Sequence, residues 1–189
     1  MIYVASSWRN PVQPQVVANL REAGFACYDF RHPRPDNTGF RWSEVATPGI
    51  DWKQWSREDF RAALSHPIAE QGFAYDLEAL RSCSTLLMVM PCGRSAHLEL
   101  GYACGMGKPA IIYLPEGYDF EPELMYKAAE AICLTMAEVL QALRIYEPAG
   151  ETERTAGDSL VEYCHANRRR KRWGNSPHGA MPSFVRPAP

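Results

Sequence analysis

A carboxylate in apolar surroundings, Glu99, is the residue of this sequence best suited to chemistry. Glu99 lies in residues 96–106, where nearly every position is apolar or small, and Asp76 shares a second helical pattern with Ala74, Leu77 and Leu80. A carboxylate among such neighbours carries a desolvation penalty that only a partner or a task offsets. Arg94 and Ser95 put a cation and a hydroxyl at the start of the Glu99 helix, where unpaired backbone N–H groups favour anions, and Ser95 shares a face with Glu99 four residues on. Just before them Leu86-Leu87-Met88-Val89-Met90, closed by Pro91 and Gly93, reads as a buried parallel strand. Open α/β sheets collect ligands at the carboxyl ends of such strands. Taken alone, Glu99 is either a structural carboxylate paired with an arginine or a nucleophile or general base, and Asp76 reads as a solvent-facing helix residue.

The elements that must position these two side chains alternate along the chain. Ile2-Tyr3-Val4-Ala5 reads as a first strand ending in the polar loop Ser6-Ser7-Trp8-Arg9-Asn10; Pro11 opens a helix that stops at Gly24; and residues 25–30 form a second strand. Residues 86–90, 110–114 and 131–134 supply three more strands. Helices are expected from Ser56, through Asp76, over 96–106 and after Thr135. This order predicts a single α/β, doubly wound, flavodoxin- or Rossmann-like domain over 1–147, with a five-stranded, mostly parallel sheet. The helix of residues 96–106 is expected to be buried on most sides. The first strand–helix turn lacks GxGxxG, which argues against a dinucleotide site. Residues 31–60 are a long connection rich in aromatics, including Phe40, Trp42, Trp52 and Trp55, and read as a lid for a planar group or as a cover for the sheet edge.

Length and charge bound the function. The 189 residues suit one sizeable core. Net charge is −2, and setting aside the five consecutive cations Arg168-Arg169-Arg170-Lys171-Arg172 leaves −7. An acidic body argues against a nucleic-acid-binding face on the fold, leaving the basic run as the place to touch nucleic acid or an acidic partner. Residues 148–189 change composition and are expected to be a largely disordered tail with one helical piece over 158–166. Six cysteines without a CxxC pair read as reduced thiols of a cytoplasmic protein, and the spacing of Cys92 and His97 does not make a metal site. Neither a metal nor a cofactor is expected. No apolar stretch reaches spanning length, and the chain opens directly as a strand without a signal peptide.

Asp76-Leu77-Glu78-Ala79-Leu80, followed by the central strand and then by Glu99-Leu100-Gly101-Tyr102-Ala103 and Lys108, resembles the nucleoside 2-deoxyribosyltransferase family, which includes deoxynucleoside monophosphate N-glycosidases. The resemblance spans roughly residues 1 to 145. It implies cleavage of an N-glycosidic bond, by hydrolysis or base exchange, with Glu99 as nucleophile and Asp76 as acid–base residue. Arg94, Ser95, Ser6, Ser7 and Arg9 would then hold the sugar or phosphate end. Tyr28 would bind the substrate, and the aromatic loop after it, Trp42 included, would hold the base. Glu123 and Met125 match a pattern that reaches into a neighbouring subunit's site, which implies a homodimer with shared sites. Here a glutamate replaces amide or hydroxyl types and would repel a 5′-phosphate. Ser84 and Gly93 also depart from the family, which often carries an acidic and a polar sugar-binding residue at those places. Two other classes remain open: a TIR-like NAD glycohydrolase, similar in its Ser95-to-Glu99 spacing, and a nucleotide-binding module without chemistry.

Overall fold

The computed structural model describes residues 1–46 and 50–147. The expected tail over 148–189, with its helical piece and basic run, lies outside the described residues.

Five strands, β1 (Ile2–Ala5), β2 (Cys27–Asp29), β3 (Thr85–Val89), β4 (Ala110–Tyr113) and β5 (Ala131–Cys133), form one sheet in the order β2-β1-β3-β4-β5. Every pairing is parallel. This is the flavodoxin-like order, with its switch point between β1 and β3. Parallel strands need crossovers, and helices α1 (Gln13–Glu22), α3 (Pro67–Ser82), α4 (Arg94–Gly105) and α5 (Met136–Tyr146) cover both faces. A short helix, α2 (Arg57–Ala63), closes the long connection.

Strand periodicity sorts the core into two layers. Ile2, Val4, Leu87, Val89 and Ile111 pack with Val16, Val17 and Leu20 of α1 and with Val139, Ala142 and Leu143 of α5. Tyr3, Ala5, Leu86, Met88 and Ile112 face the opposite way, onto Ala79 and Leu80 of α3 and Ala96, Leu100 and Ala103 of α4. Helix ends follow local chemistry. Ser56 and Asp59 form a reciprocal capping box on α2, and the Thr135 hydroxyl accepts from Glu138 N–H at 3.2 Å on α5. The Lys108 ammonium donates to the carbonyls of Arg81 and Cys83, where α3 ends.

Three expectations need correction. The first helix is regular from Gln13 rather than Pro11, and in the turn before it Asn10 Oδ1 accepts from the N–H groups of Val12 (2.7 Å) and Gln13 (3.2 Å). The Glu99 helix starts at Arg94, so Arg94 and Ser95 are its first turn rather than its approach. It is also not buried on most sides. The sheet covers the stripe of Ala96, Leu100 and Ala103, while Leu98 is 76% exposed and Gly101, Tyr102, Gly105 and Met106 face outward with it.

Candidate functional site

Register builds the site. Tyr3 of β1 lies opposite Tyr28 of β2, and both point to the α3/α4 face. Their rings stack at 5.2 Å between centroids with 20° between planes. A tyrosine in a sheet interior must still find a partner for its hydroxyl. Tyr28 donates to Asp76 Oδ1 of α3 at 2.7 Å, and the Tyr3 hydroxyl lies beside the Glu99 side chain of α4, near enough for each to shift the other's proton affinity. The stacked tyrosines thus connect two carboxylates that arrive from the two helices flanking β3, beside the switch point of the sheet.

Burial dominates the electrostatics. It raises Asp76 to about 6 against the pull of the Tyr28 hydrogen bond. Glu99 is raised to about 7, first by burial and then by the charge of Asp76, with the Tyr3 hydroxyl working the other way. Near neutral pH the two therefore titrate as one pair. Both tyrosines are pushed well above their ordinary range by burial and by the carboxylates, so they remain protonated donors.

The loop after β1 is fastened to the same edge. Ser6 Oγ donates to Val89 O at 2.9 Å, and Asn10 Nδ2 donates to Ser6 Oγ at 2.9 Å and to Val89 O at 3.1 Å. Arg31 Nη2 donates to the carbonyls of Ser7, Trp8 and Asn10, at 3.2, 3.0 and 2.9 Å. Its guanidinium lies 5.3 Å from the Trp8 ring centroid. Ser6 is thus a clip between β1 and β3. Ser7 Oγ accepts from Arg9 N–H at 3.2 Å, and the Arg9 side chain is exposed. Arg94 and Ser95 are exposed at the α4 N-terminus, and among the described residues their side chains have no hydrogen-bond partner.

Trp42 sits in an aromatic cluster rather than alone. Its ring meets Phe40, Phe60 and Trp55 edge-on at 4.8, 5.6 and 5.8 Å. Trp8 Nε1 donates to Phe40 O at 3.0 Å, which ties this cluster to the β1 loop. Glu123 accepts from Met125 N–H at 3.0 Å and starts a 3-10 segment, Leu124–Ala128, whose Leu124 and Met125 are exposed. That segment abuts α4 where His97 Nε2 meets Tyr126 OH at 2.8 Å, while His97 Nδ1 lies 2.9 Å from Gly93 O. Beside them burial pushes the Cys92 thiol up to about 12, with the charge of Glu99 adding to it, which leaves it unreactive. Among the described residues no group of three or more His, Cys, Asp or Glu side chains is placed to hold a metal.

Of the residues singled out from sequence, Asp76, Glu99 and Tyr28 come together directly. Tyr28, expected to bind substrate, turns its hydroxyl to Asp76 and one ring face to Tyr3. Tyr3, Asn10 and Arg31 were not anticipated. The signal for Tyr3 was present, since a hydroxyl in the middle of a buried strand requires a partner across the sheet. Two surface hollows, one along α3 at Ala74, Leu77 and Arg81 and one at Val45, Trp55 and Pro67, include neither carboxylate.

The chain is similar to a solved 2-deoxyribosyltransferase. That protein, from the psychrotolerant bacterium Bacillus psychrosaccharolyticus, is 22% identical over 74% of this chain and 89% of its own, with a TM-score of 0.41. A conserved protein from Enterococcus faecalis V583 is 12% identical over 89% of this chain and 97% of its own, with a TM-score of 0.30. No family model matches the sequence. No curated protein matches it either. Among the described residues no helix is long and apolar enough to cross a membrane.

Proposed function

We propose that this protein cleaves the N-glycosidic bond of a nucleoside or nucleotide through a glycosyl ester on Glu99, with Asp76 as acid and then base. The observation that carries the reading is the carboxylate pair itself: two half-buried acids, Asp76 accepting from the Tyr28 hydroxyl and Glu99 beside Tyr3, at the switch point of the sheet. Raised proton affinity on both makes one shared proton available near neutral pH. That proton rests more often on Glu99, raised to about 7, than on Asp76, raised to about 6, and the productive form is the less populated one in which Asp76 holds it and Glu99 is ionised. The proton passes to a ring nitrogen of the base, the electron pair of the C1′–N bond leaves with the base, and a Glu99 oxygen bonds to C1′. Asp76 then takes a proton from water, whose oxygen displaces Glu99 from C1′; an incoming base in place of water gives exchange.

Half-buried Ser7 and the exposed Arg9, Arg94 and Ser95 are assigned to the sugar or phosphate end, and the Trp42 cluster is assigned to the base. A second copy of the chain is assigned to the outer face of α4, where Leu98, Tyr102 and Met106 lie uncovered, with Leu124 and Met125 on the 3-10 segment that packs against the same helix. Glu123 and Met125 would then complete the neighbour's site. Hybrid dimers test this: mixing inactive Glu99→Gln and Met125→Asp proteins restores part of the activity, and mixed dimers without recovery would remove the shared site. A cytoplasmic location goes with this reading, and none of the five described cysteines forms a disulfide.

The activity test is direct. The protein is incubated with deoxynucleosides, ribonucleosides, their monophosphates and NAD, and free base is followed by chromatography. Release from a nucleoside or nucleotide supports the reading. Release from NAD alone would move it to the NAD glycohydrolases, and ligand binding without release from any of them would leave a nucleotide-binding module.

A further inference from the structure

We infer that Tyr28 is a positioning residue for proton transfer: its hydroxyl fixes which oxygen of Asp76 carries the proton and steadies the carboxylate left when the base departs. The inference rests on Asp76 being the acid of the proposed reaction. Tyr28 donates to Oδ1 at 2.7 Å, and among the described residues no group donates to Oδ2. An oxygen that already accepts from a hydroxyl is the poorer place for a proton, so protonated Asp76 carries its hydrogen on Oδ2, the side free to meet a base.

The donor is itself held. Tyr28 is 9% exposed, stacked on Tyr3 and set by the register of β1 and β2, so it has little freedom to turn away. When the Oδ2 proton moves to the base nitrogen, Asp76 becomes an anion, and a hydrogen bond to an ionised acceptor is stronger than one to a neutral acid. Tyr28 therefore acts more on the state after proton transfer than on the state before it. When water attacks C1′ in the second step, the Asp76 carboxylate recovers a proton at Oδ2 and the starting arrangement returns.

The test compares wild type, Tyr28→Phe and Asp76→Asn. The first variant removes one hydroxyl and keeps the stacked ring. Base release is measured against pH with 2′-deoxyguanosine and with N7-methyl-2′-deoxyguanosine, whose base leaves neutral without receiving a proton. With 2′-deoxyguanosine Tyr28→Phe is expected to lose about tenfold in kcat with KM within about twofold. Loss of a donor to the carboxylate raises the proton affinity of Asp76, so the alkaline limb moves to higher pH by about one pH unit. With the N7-methyl compound the loss shrinks to about twofold or less, because no proton is needed.

A carbon-13 titration of the Asp76 carboxyl in the substrate-free protein reads the same shift without any turnover, and the spectrum reports whether the variant is folded. An equal loss on both nucleosides, a change confined to KM, or an Asp76 titration unmoved in Tyr28→Phe would overturn the inference and leave Tyr28 as a packing or base-holding residue. Asp76→Asn separates the two levels of the claim. A loss of a hundredfold or more on 2′-deoxyguanosine with no effect of Tyr28→Phe sinks the inference alone, whereas wild-type release by Asp76→Asn sinks the acid reading and this inference with it.

Discussion

Alternate residues of the same strands build two unlike faces of the sheet. Toward α1 and α5 point Ile2, Val4, Leu87, Val89 and Ile111, in a buried cluster of aliphatic side chains and one cysteine. Toward α3 and α4 point Tyr3 and Tyr28, which reach Asp76 and Glu99. The first face stabilises the fold and asks only for volume and apolar character. The second tolerates carboxylates because each has a hydroxyl partner, and it still carries the cost of burying their charge. One strand can therefore serve stability with its even residues and chemistry with its odd ones.

The sharpest break between the faces should come from Glu99→Gln. Glutamine keeps the volume and a hydrogen-bonding oxygen, so near-ultraviolet circular dichroism should stay unchanged while base release falls by roughly a thousandfold or more. A loss below about tenfold would make the α3/α4 face as purely structural as the other. Leu20→Ala probes the opposite face, since Leu20 of α1 is fully buried against the sheet. Chemical denaturation should show a loss of about 2–5 kcal/mol, with kcat unchanged where the variant is folded. A fall in kcat of the folded variant would show that the two faces are coupled.

The pH dependence of stability gives a smaller effect with a definite sign. Glu99 is raised by burial from 4.5 to about 7, so this group favours the folded state most fully below about pH 4.5 and loses that contribution as pH rises toward 7. Glu99→Gln removes the buried charge. Relative to wild type it should gain up to about 3 kcal/mol at pH 8 and nothing at pH 4. Denaturation midpoints at the two pH values check this, and a variant less stable than wild type at pH 8 would mean that the carboxylate is there for stability.

Much of the scaffold was legible because its signals are local. Apolar runs marked β3 and β4, Ser56 and Thr135 marked helix starts through their caps, and a carboxylate in an apolar stretch, Glu99, singled out a candidate site. What escaped depends on distant neighbours. Tyr3 could be paired with Tyr28 only once β1 and β2 were known to be adjacent with those residues in register, and Tyr28 read only as a substrate-binding residue until then. The polar loop Ser6 to Asn10 read as open, but its hydroxyl and amide are occupied by the carbonyl of Val89, 79 to 83 residues away. Composition made α4 apolar all round, yet composition does not say how much of a helix one sheet can cover, and Leu98 falls outside the covered stripe.

The claim that Glu99 forms a bond to C1′ can be put to one measurement. Wild-type protein is mixed with a 2′-fluoro-substituted nucleoside, whose slowed second step lets the intermediate accumulate, then quenched in acid, digested and analysed by mass spectrometry. The account predicts a peptide containing Glu99 heavier by one fluorinated glycosyl group, with fragmentation placing the added mass on that side chain and no adduct in Glu99→Gln. Release of base with no adduct at any quench time, or an adduct on another residue, would contradict it.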